Sequence, residues 1–138
     1  MVDPLQPRAR ILLAEDYDDA RDMYTEMLRY AGYIVVTAKD GEEAIRCASS
    51  EAFDVIVLDI ALPKVDGITV LRTLRSRPET KETPIITLSA SVGQNAHQAV
   101  LAAGGDLALD KPCLPDDLEA AIRRVLQRRR PATNSPMI

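Results

Sequence analysis

The chain has 138 residues, 46% of them hydrophobic and 28% charged, with a formal net charge of −4 and an isoelectric point near 5.0. With one Phe, four Tyr and no Trp, a single domain of this length must build an aliphatic core. The acidic balance argues against direct nucleic-acid binding. No apolar run reaches the roughly 18 residues a membrane helix needs, which argues against a membrane partner. The start, MVDPLQPRAR, has no apolar h-region. Cys47 and Cys113 make no metal or redox spacing, so a reducing, cytoplasmic setting is expected.

Residues 1–8, with Pro4 and Pro7, read as a flexible arm. Ala9 to Ala14 (ARILLA) reads as a buried strand that ends in the acid cluster Glu15-Asp16-Tyr17-Asp18-Asp19. A helix is expected from about Asp18 to Ala31, with Met23, Tyr24, Met27, Leu28, Tyr30 and Ala31 on its apolar side and Gly32 as its stop. Tyr33 to Thr37 is the second strand. Asp40-Gly41-Glu42-Glu43 opens a second helix with an acidic first turn, which suits the helix dipole, and Ala44, Ile45 and Ala48 line its inner face.

The third strand lies in DVIVLDIALPKVDG, Asp54 to Gly67, where an unbroken aliphatic run frames the single acid Asp59. After the loop to Gly67, Ile68, Val70, Leu71 and Leu74 mark a third helix ending before Pro78, and Glu79 to Glu82 reads as polar and exposed. Pro84 to Leu88 is the fourth strand, closing on Ser89-Ala90-Ser91. A fourth helix, about Gly93 to Ala103, stops at Gly104-Gly105. Leu107-Ala108-Leu109 is a short fifth strand before Asp110-Lys111-Pro112. The last helix starts at Pro115-Asp116-Asp117, turns Leu118, Ile122, Val125 and Leu126 inward and ends in an arginine run; residues 131–138 read as a disordered tail.

Strand and helix thus alternate five times with short connections. That pattern requires right-handed crossovers and a parallel sheet covered by helices on both faces. The expected fold is α/β, a five-stranded, doubly wound (βα)5 sandwich over residues 9–130.

In such a sheet every strand ends on the same edge, where open α/β sheets hold their ligands. Delivered there are Glu15 and Asp16 from the first strand, Asp59 from the third, Ser89 from the fourth and Lys111 from the fifth. If the first and third strands are neighbours, three carboxylates share a narrow space, and each like-charged pair at 4 Å costs about 4 kcal/mol at an effective dielectric of 20. Lys111 is the one cation delivered there, so the site calls for another. Oxygen ligands without His or Cys favour Mg²⁺, or Mn²⁺ at the same donors. A metal on acids, an ammonium and a hydroxyl together form a phosphoryl-binding set, and Asp59, central among them, is the best-placed covalent acceptor.

These stretches resemble a known family. ILLAED, VIVLDIALPKVDG, PIITLSA and LDKP look like the ordered motifs of receiver domains from two-component response regulators, and the resemblance covers about residues 9–128. It implies the flavodoxin-like strand order 2-1-3-4-5. It also implies Glu15 and Asp16 as metal ligands, with Asp59 and the backbone carbonyl of Ala61 completing the shell, and Ser89 and Lys111 as contacts of the phosphoryl group. The implied donor is a phosphohistidine on a histidine kinase or phosphotransfer protein. The implied chemistry is the domain's own phosphotransfer and autodephosphorylation, followed by a change in conformation or in binding of a downstream protein. A homodimer through the face of the fourth helix, fifth strand and last helix is one option the family offers. With eight residues after Arg130, no DNA-binding output domain is expected, whether the domain stands alone or is part of a longer regulator.

Two positions depart from the family pattern. Ala108 stands where receivers carry a Tyr or Phe three residues before the lysine, and Cys113 stands where an aromatic usually follows the lysine-proline pair. Both departures lie in or beside the fifth strand, so an altered output along that face is expected while the chemistry at Asp59 stays intact. Ala61 and Ser91, small residues flanking Asp59, are expected to admit attacking water. His97 reads as a surface residue without an acidic neighbour, Cys47 and Cys113 as structural residues, and the arginines of the last helix as a solvated face.

Three other functions compete. A receiver used only for docking would not take phosphate, and retention of all five site groups argues against it. A phosphatase of the haloacid-dehalogenase type wants a second acid two residues after its nucleophile, where this chain has Ala61. An FMN carrier needs a phosphate loop after the first strand, and Glu15 to Asp19 would repel that phosphate.

Overall fold

A computed structural model describes residues 9–90 and 94–133, so the expected arm at 1–8, Ser91 and the end of the expected tail lie outside the described residues. The element order is β1 (Arg10–Ala14), α1 (Asp18–Tyr30), β2 (Ile34–Ala38), α2 (Gly41–Ser50), β3 (Val55–Asp59), α3 (Gly67–Arg75), β4 (Ile85–Ser89), α4 (Gln94–Ala102), β5 (Leu107–Asp110) and α5 (Pro115–Thr133). The five strands form one parallel sheet in the order β2-β1-β3-β4-β5. The last helix continues through Thr133, three residues beyond its expected end.

The aliphatic runs of β1, β3 and β4 are buried on both faces because alternate side chains feed two separate cores. Leu12, Ala14, Ile56, Leu58 and Ile85 pack with α2, α3 and α4 through Ala44, Ala48, Val70, Leu71, Leu74 and Val100. Ile11, Leu13, Val55, Val57, Ile86 and Leu88 pack on the opposite face with α1 and α5 through Tyr24, Leu28, Leu118, Ile122 and Val125. The helices that follow β1 and β3 therefore leave to opposite faces, although the two strands are neighbours. A crevice opens between their carboxyl ends for that reason.

Local signals place the helix ends. Asp40 caps α2 by accepting the Glu43 N–H at 2.7 Å, and Asp66 caps α3 by accepting the Thr69 N–H at 3.0 Å. Gly32, at φ 104°, ends α1 in the left-handed conformation that a helix stop asks for. Three expectations need correction. The apolar side of α1 is narrower than six residues: Tyr24 and Leu28 are buried, while Tyr30 is 93% exposed and Met23 also faces solvent. The stripe that α1 packs on the sheet holds Tyr24 and Leu28 with Ala20 and Met27 at its edge, and Met23 and Tyr30 fall outside it. The segment Glu79 to Glu82 is not wholly exposed, because Thr80 is buried with its hydroxyl donating to the Leu74 carbonyl at 2.5 Å near the end of α3. The third concerns His97 and is taken up below.

Candidate functional site

The strand ends deliver the groups that the sequence places there. β1 carries the chain into Glu15, whose N–H extends the ladder to the Ala38 carbonyl at 3.0 Å, so its side chain turns inward and is fully buried. Asp59 ends β3 opposite Leu88 of β4 and is 3% exposed. Ser89, also buried, pairs in register with Asp110, and the N–H of Lys111 reaches the Ser89 carbonyl at 2.8 Å. The β4–β5 ladder thus runs up to the lysine.

Lys111 spans the acids. Its Nζ donates to Asp59 Oδ2 at 2.8 Å and to Glu15 Oε1 at 3.1 Å. The other oxygen of Asp59, Oδ1, accepts the Ala61 N–H at 3.0 Å, and Glu15 Oε2 accepts the Tyr17 N–H at 3.1 Å. Both carboxylates are held at two points. Carboxylate oxygens of Glu15, Asp16 and Asp59 come within 4.8 Å of one another.

The electrostatics follow from burial. Desolvation pushes the Glu15 carboxyl above its ordinary value, with the Asp59 charge adding to the rise; the Tyr17 N–H and Lys111 only partly oppose it. Burial works against the Lys111 ammonium too, but its hydrogen bonds to Asp59 and Glu15 outweigh that and raise it. One ammonium for three carboxylates leaves the cluster short of positive charge. At 4.8 Å and an effective dielectric of 20, each acid pair still repels by about 3.5 kcal/mol. The donor set is all oxygen, two of its acids are buried and the third is exposed to solvent, which fits a hard divalent cation that keeps part of its water.

Several contributors were not legible in the sequence. Arg21 donates to the carbonyls of Glu15 at 3.0 Å and Asp16 at 3.4 Å and pairs with Asp18, so it fixes the path of the loop that carries the acids. Its place one turn into the helix after an acid cluster was the available signal. Tyr24 donates to the Cys113 carbonyl at 2.7 Å and ties α1 to the loop after Lys111. Cys113 is buried with its thiol pushed up by desolvation, and Cys47 is partly buried with a raised thiol for the same reason, so both read as structural. His97 departs from expectation. It has an acidic neighbour, for its Nε2 lies 2.7 Å from Asp110 Oδ1 and links α4 to the residue before Lys111. The partner comes from a strand 13 residues away, which no local reading of α4 could supply. Ala108 lies in β5 opposite Thr87, partly buried against the α2–α4 core.

The sequence profile of the response regulator receiver domain matches residues 11–123. The chain is 39% identical over 132 residues to a probable transcriptional regulator, ycf27, of Guillardia theta, a match covering 95% of this chain and 50% of that protein. It thus spans about half the length of that curated relative. Among solved structures, the chemotaxis response regulator CheY4 of Vibrio cholerae superposes with a TM-score of 0.83 at 34% identity, covering 86% of this chain and 99% of that one. The receiver domain of the sensor histidine kinase PA1611 of Pseudomonas aeruginosa PAO1 superposes with a TM-score of 0.81 at 32% identity, over 88% of this chain and 99% of its own. That structure holds a magnesium ion coordinated in its active-site cleft.

Proposed function

Because the chain belongs to the receiver domain family of response regulators, we propose that Asp59 accepts a phosphoryl group from a phosphohistidine on a partner histidine kinase or phosphotransfer protein. The observation that carries this reading is the convergence of Lys111 on Asp59 and Glu15, with Asp16 beside them, at the carboxyl edge of the sheet.

Glu15, Asp16, Asp59 and the Ala61 carbonyl would hold Mg²⁺, which supplies the positive charge that lets a phosphoryl group approach three acids. In the transfer, an Asp59 carboxylate oxygen forms a bond to phosphorus as the bond from phosphorus to the imidazole nitrogen breaks. The electron pair of the broken bond stays on that nitrogen, which recovers a proton from solvent. The Ala61 N–H keeps one Asp59 oxygen oriented throughout. Lys111, already on Asp59, follows the negative charge as it spreads onto the phosphoryl oxygens, and the Ser89 hydroxyl on the adjoining strand holds another of them. Hydrolysis returns the carboxylate: water adds to phosphorus, the bond to the Asp59 oxygen breaks and inorganic phosphate leaves. The small side chain of Ala61 leaves that path open. The activity is confined to this cycle on the domain's own aspartate. Its product is a change in conformation or in binding of a downstream protein.

Incubation with acetyl phosphate and Mg²⁺, read by intact mass, tests the proposal. A gain of one phosphoryl group is expected on the wild type and none on Asp59→Asn. A wild type without the gain would overturn it.

A further inference from the structure

The loop between β3 and α3 starts at Ile60, the residue after the proposed acceptor, and is tied down at three points. At its neck the Gly67 N–H reaches the Ile60 carbonyl at 2.8 Å. At its root the Ala61 N–H is held by Asp59. The third tie, at the tip, is to a different element. The Pro63 carbonyl accepts the N–H of Val65 at 2.8 Å and also the N–H of Gly41, the first residue of α2, at 3.1 Å.

The bond from Val65 back to Pro63 closes a three-residue turn with Lys64 at its centre, at φ 70°. That is the rare, strained γ-turn conformation, and a lysine held in it needs surroundings that impose it. The surroundings are the first turn of α2. Lys64 Nζ lies 3.5 Å from Asp40 Oδ2 and 3.8 Å from Glu42 Oε1. Asp40 is itself buried and caps the helix.

The seam closes because residue 41 has no side chain. A Cβ built on Gly41 would stand 1.8 Å from the Val65 carbonyl oxygen and 2.7 Å from the carbonyl carbon. Those are backbone atoms, so no change of rotamer can relieve the overlap; the loop or the helix start must move. The backbone of Gly41 does not lie in the left-handed region, so lack of space is the reason for glycine here. Alanine at the start of a helix would otherwise be the better residue. A local advantage is given up for a close approach.

We infer that Gly41 is a positioning residue for the Asp59 site: by letting α2 close onto the β3–α3 loop, it sets where the Ala61 backbone stands. This rests on the reading of Asp59 and its acids given above and assigns a role to a residue that touches none of them. Ala61 lies between the root at Asp59 and the tie at Pro63, so a shift of Pro63 and Val65 is passed to it across two residues. Misplacement of one ligand by about an ångström is enough to cost a site up to a hundredfold.

The test measures Mg²⁺ binding to the unphosphorylated protein by titration calorimetry, alongside thermal melts and the rate of phosphoryl gain from acetyl phosphate. Gly41→Ala is expected to raise the Mg²⁺ dissociation constant about tenfold and slow phosphorylation by a similar factor, while the fraction folded at the assay temperature stays at the wild-type level. Lys64→Ala removes the ion pairs to Asp40 and Glu42 that hold the strained turn, adds no clash, and is expected to weaken Mg²⁺ binding about threefold. It decides the matter should Gly41→Ala fail to fold. Unchanged Mg²⁺ affinity in a folded Gly41→Ala protein, or in Lys64→Ala where Gly41→Ala does not fold, overturns the inference while wild-type phosphorylation stands. A wild type that binds no Mg²⁺ and gains no phosphoryl group overturns the underlying reading as well.

Discussion

Lys111→Met separates the charge of the lysine from its packing. In the structure Lys111 holds two buried carboxylates at 2.8 and 3.1 Å. At an effective dielectric of 20 those contacts correspond to about 6 and 5 kcal/mol of attraction before desolvation is counted. The net loss is far smaller, because the acids have another way to shed charge. Once the ammonium is gone, Glu15, already held above its usual 4.5 by burial, takes up a proton. Protonating a carboxyl of that intrinsic value at pH 7 costs about 3.4 kcal/mol, which sets the ceiling on the Glu15 share of the damage. We expect a loss of about 2–3 kcal/mol at pH 7, or roughly 10 °C in melting temperature for a domain of this size. At pH 5 the same ceiling falls to about 0.7 kcal/mol. The sign agrees with linkage in the wild type: the folded state binds more protons than the unfolded one between 4.5 and the raised value of Glu15, so stability falls as pH rises through that window. The assay is thermal denaturation of both proteins at pH 5 and pH 7, with and without Mg²⁺. Added Mg²⁺ should restore much of the deficit at pH 7 by supplying the missing charge. A deficit of the same size at both pH values and indifferent to Mg²⁺ would refute the reasoning and make Lys111 a packing residue.

Other perturbations follow from the same contacts. For the wild type, Mg²⁺ at about ten times its dissociation constant should stabilise by about 1.4 kcal/mol and raise the melting temperature by roughly 5 °C; Asp16→Ala should lose most of that shift in the same calorimetric scan. Asp66→Ala removes the α3 cap, with its bonds to the Thr69 N–H and hydroxyl, and should cost about 1 kcal/mol in urea titrations at neutral pH. The Thr69 bonds hold the Asp66 carboxyl below its ordinary value of 3.8, so its stabilisation is complete above that value and is lost as pH falls through the lower folded one. The deficit of the variant should therefore vanish in strong acid. Arg75 donates to the carbonyls of Gly104, Thr80, Lys81 and Thr83 and pairs with Asp106, which also accepts the Ile85 N–H. Arg75→Ala should cost about 2 kcal/mol or more, and a loss below about 0.5 kcal/mol in chemical denaturation would show that water replaces the guanidinium freely.

What the sequence made legible follows one physical division. Strands with both faces buried announce themselves as unbroken aliphatic runs, and the alternation of strand and helix then forces a parallel sheet. A parallel sheet brings all its carboxyl ends to one edge, so Glu15, Asp59 and Lys111 could be placed together although 52 residues separate the last two. Contacts set by the path of a loop left no such trace. The grip of Arg21 on the carbonyls of Glu15 and Asp16, the tie between Gly41 and Pro63, and the bond from His97 to Asp110 each depend on a turn geometry or a packing distance. No periodicity encodes those. The excess apolar residues of α1 misled in the opposite sense, because Met23 and Tyr30 share a helix with Tyr24 and Leu28 but not its buried stripe.

The site at Asp59 and the route away from it are built from separable parts. Acceptor, acids, lysine and hydroxyl sit on strand ends that the two cores hold rigidly. Receivers of this family use an aromatic ring at the position of Ala108 to pass a shift of the hydroxyl residue outward. A methyl group has no rotamer to exchange, so opposite Thr87 there is nothing to carry such a shift by rotation. Driving a two-state domain from 1:99 to 99:1 takes about 5.5 kcal/mol of differential stabilisation, and in this chain that difference has to be made by other contacts. Besides the packing of Leu107, Ala108 and Leu109 against the two cores, the end of β5 is held by two polar contacts: the Lys111 N–H on the Ser89 carbonyl, and His97 of α4 on Asp110. Movement of the Lys111 ammonium from Asp59 onto a phosphoryl oxygen, as proposed, would act on the residue next to that ion pair. If Asp59 takes phosphate as proposed, the end of β5, and the helix fastened to it by His97, is where its signal is expected to travel.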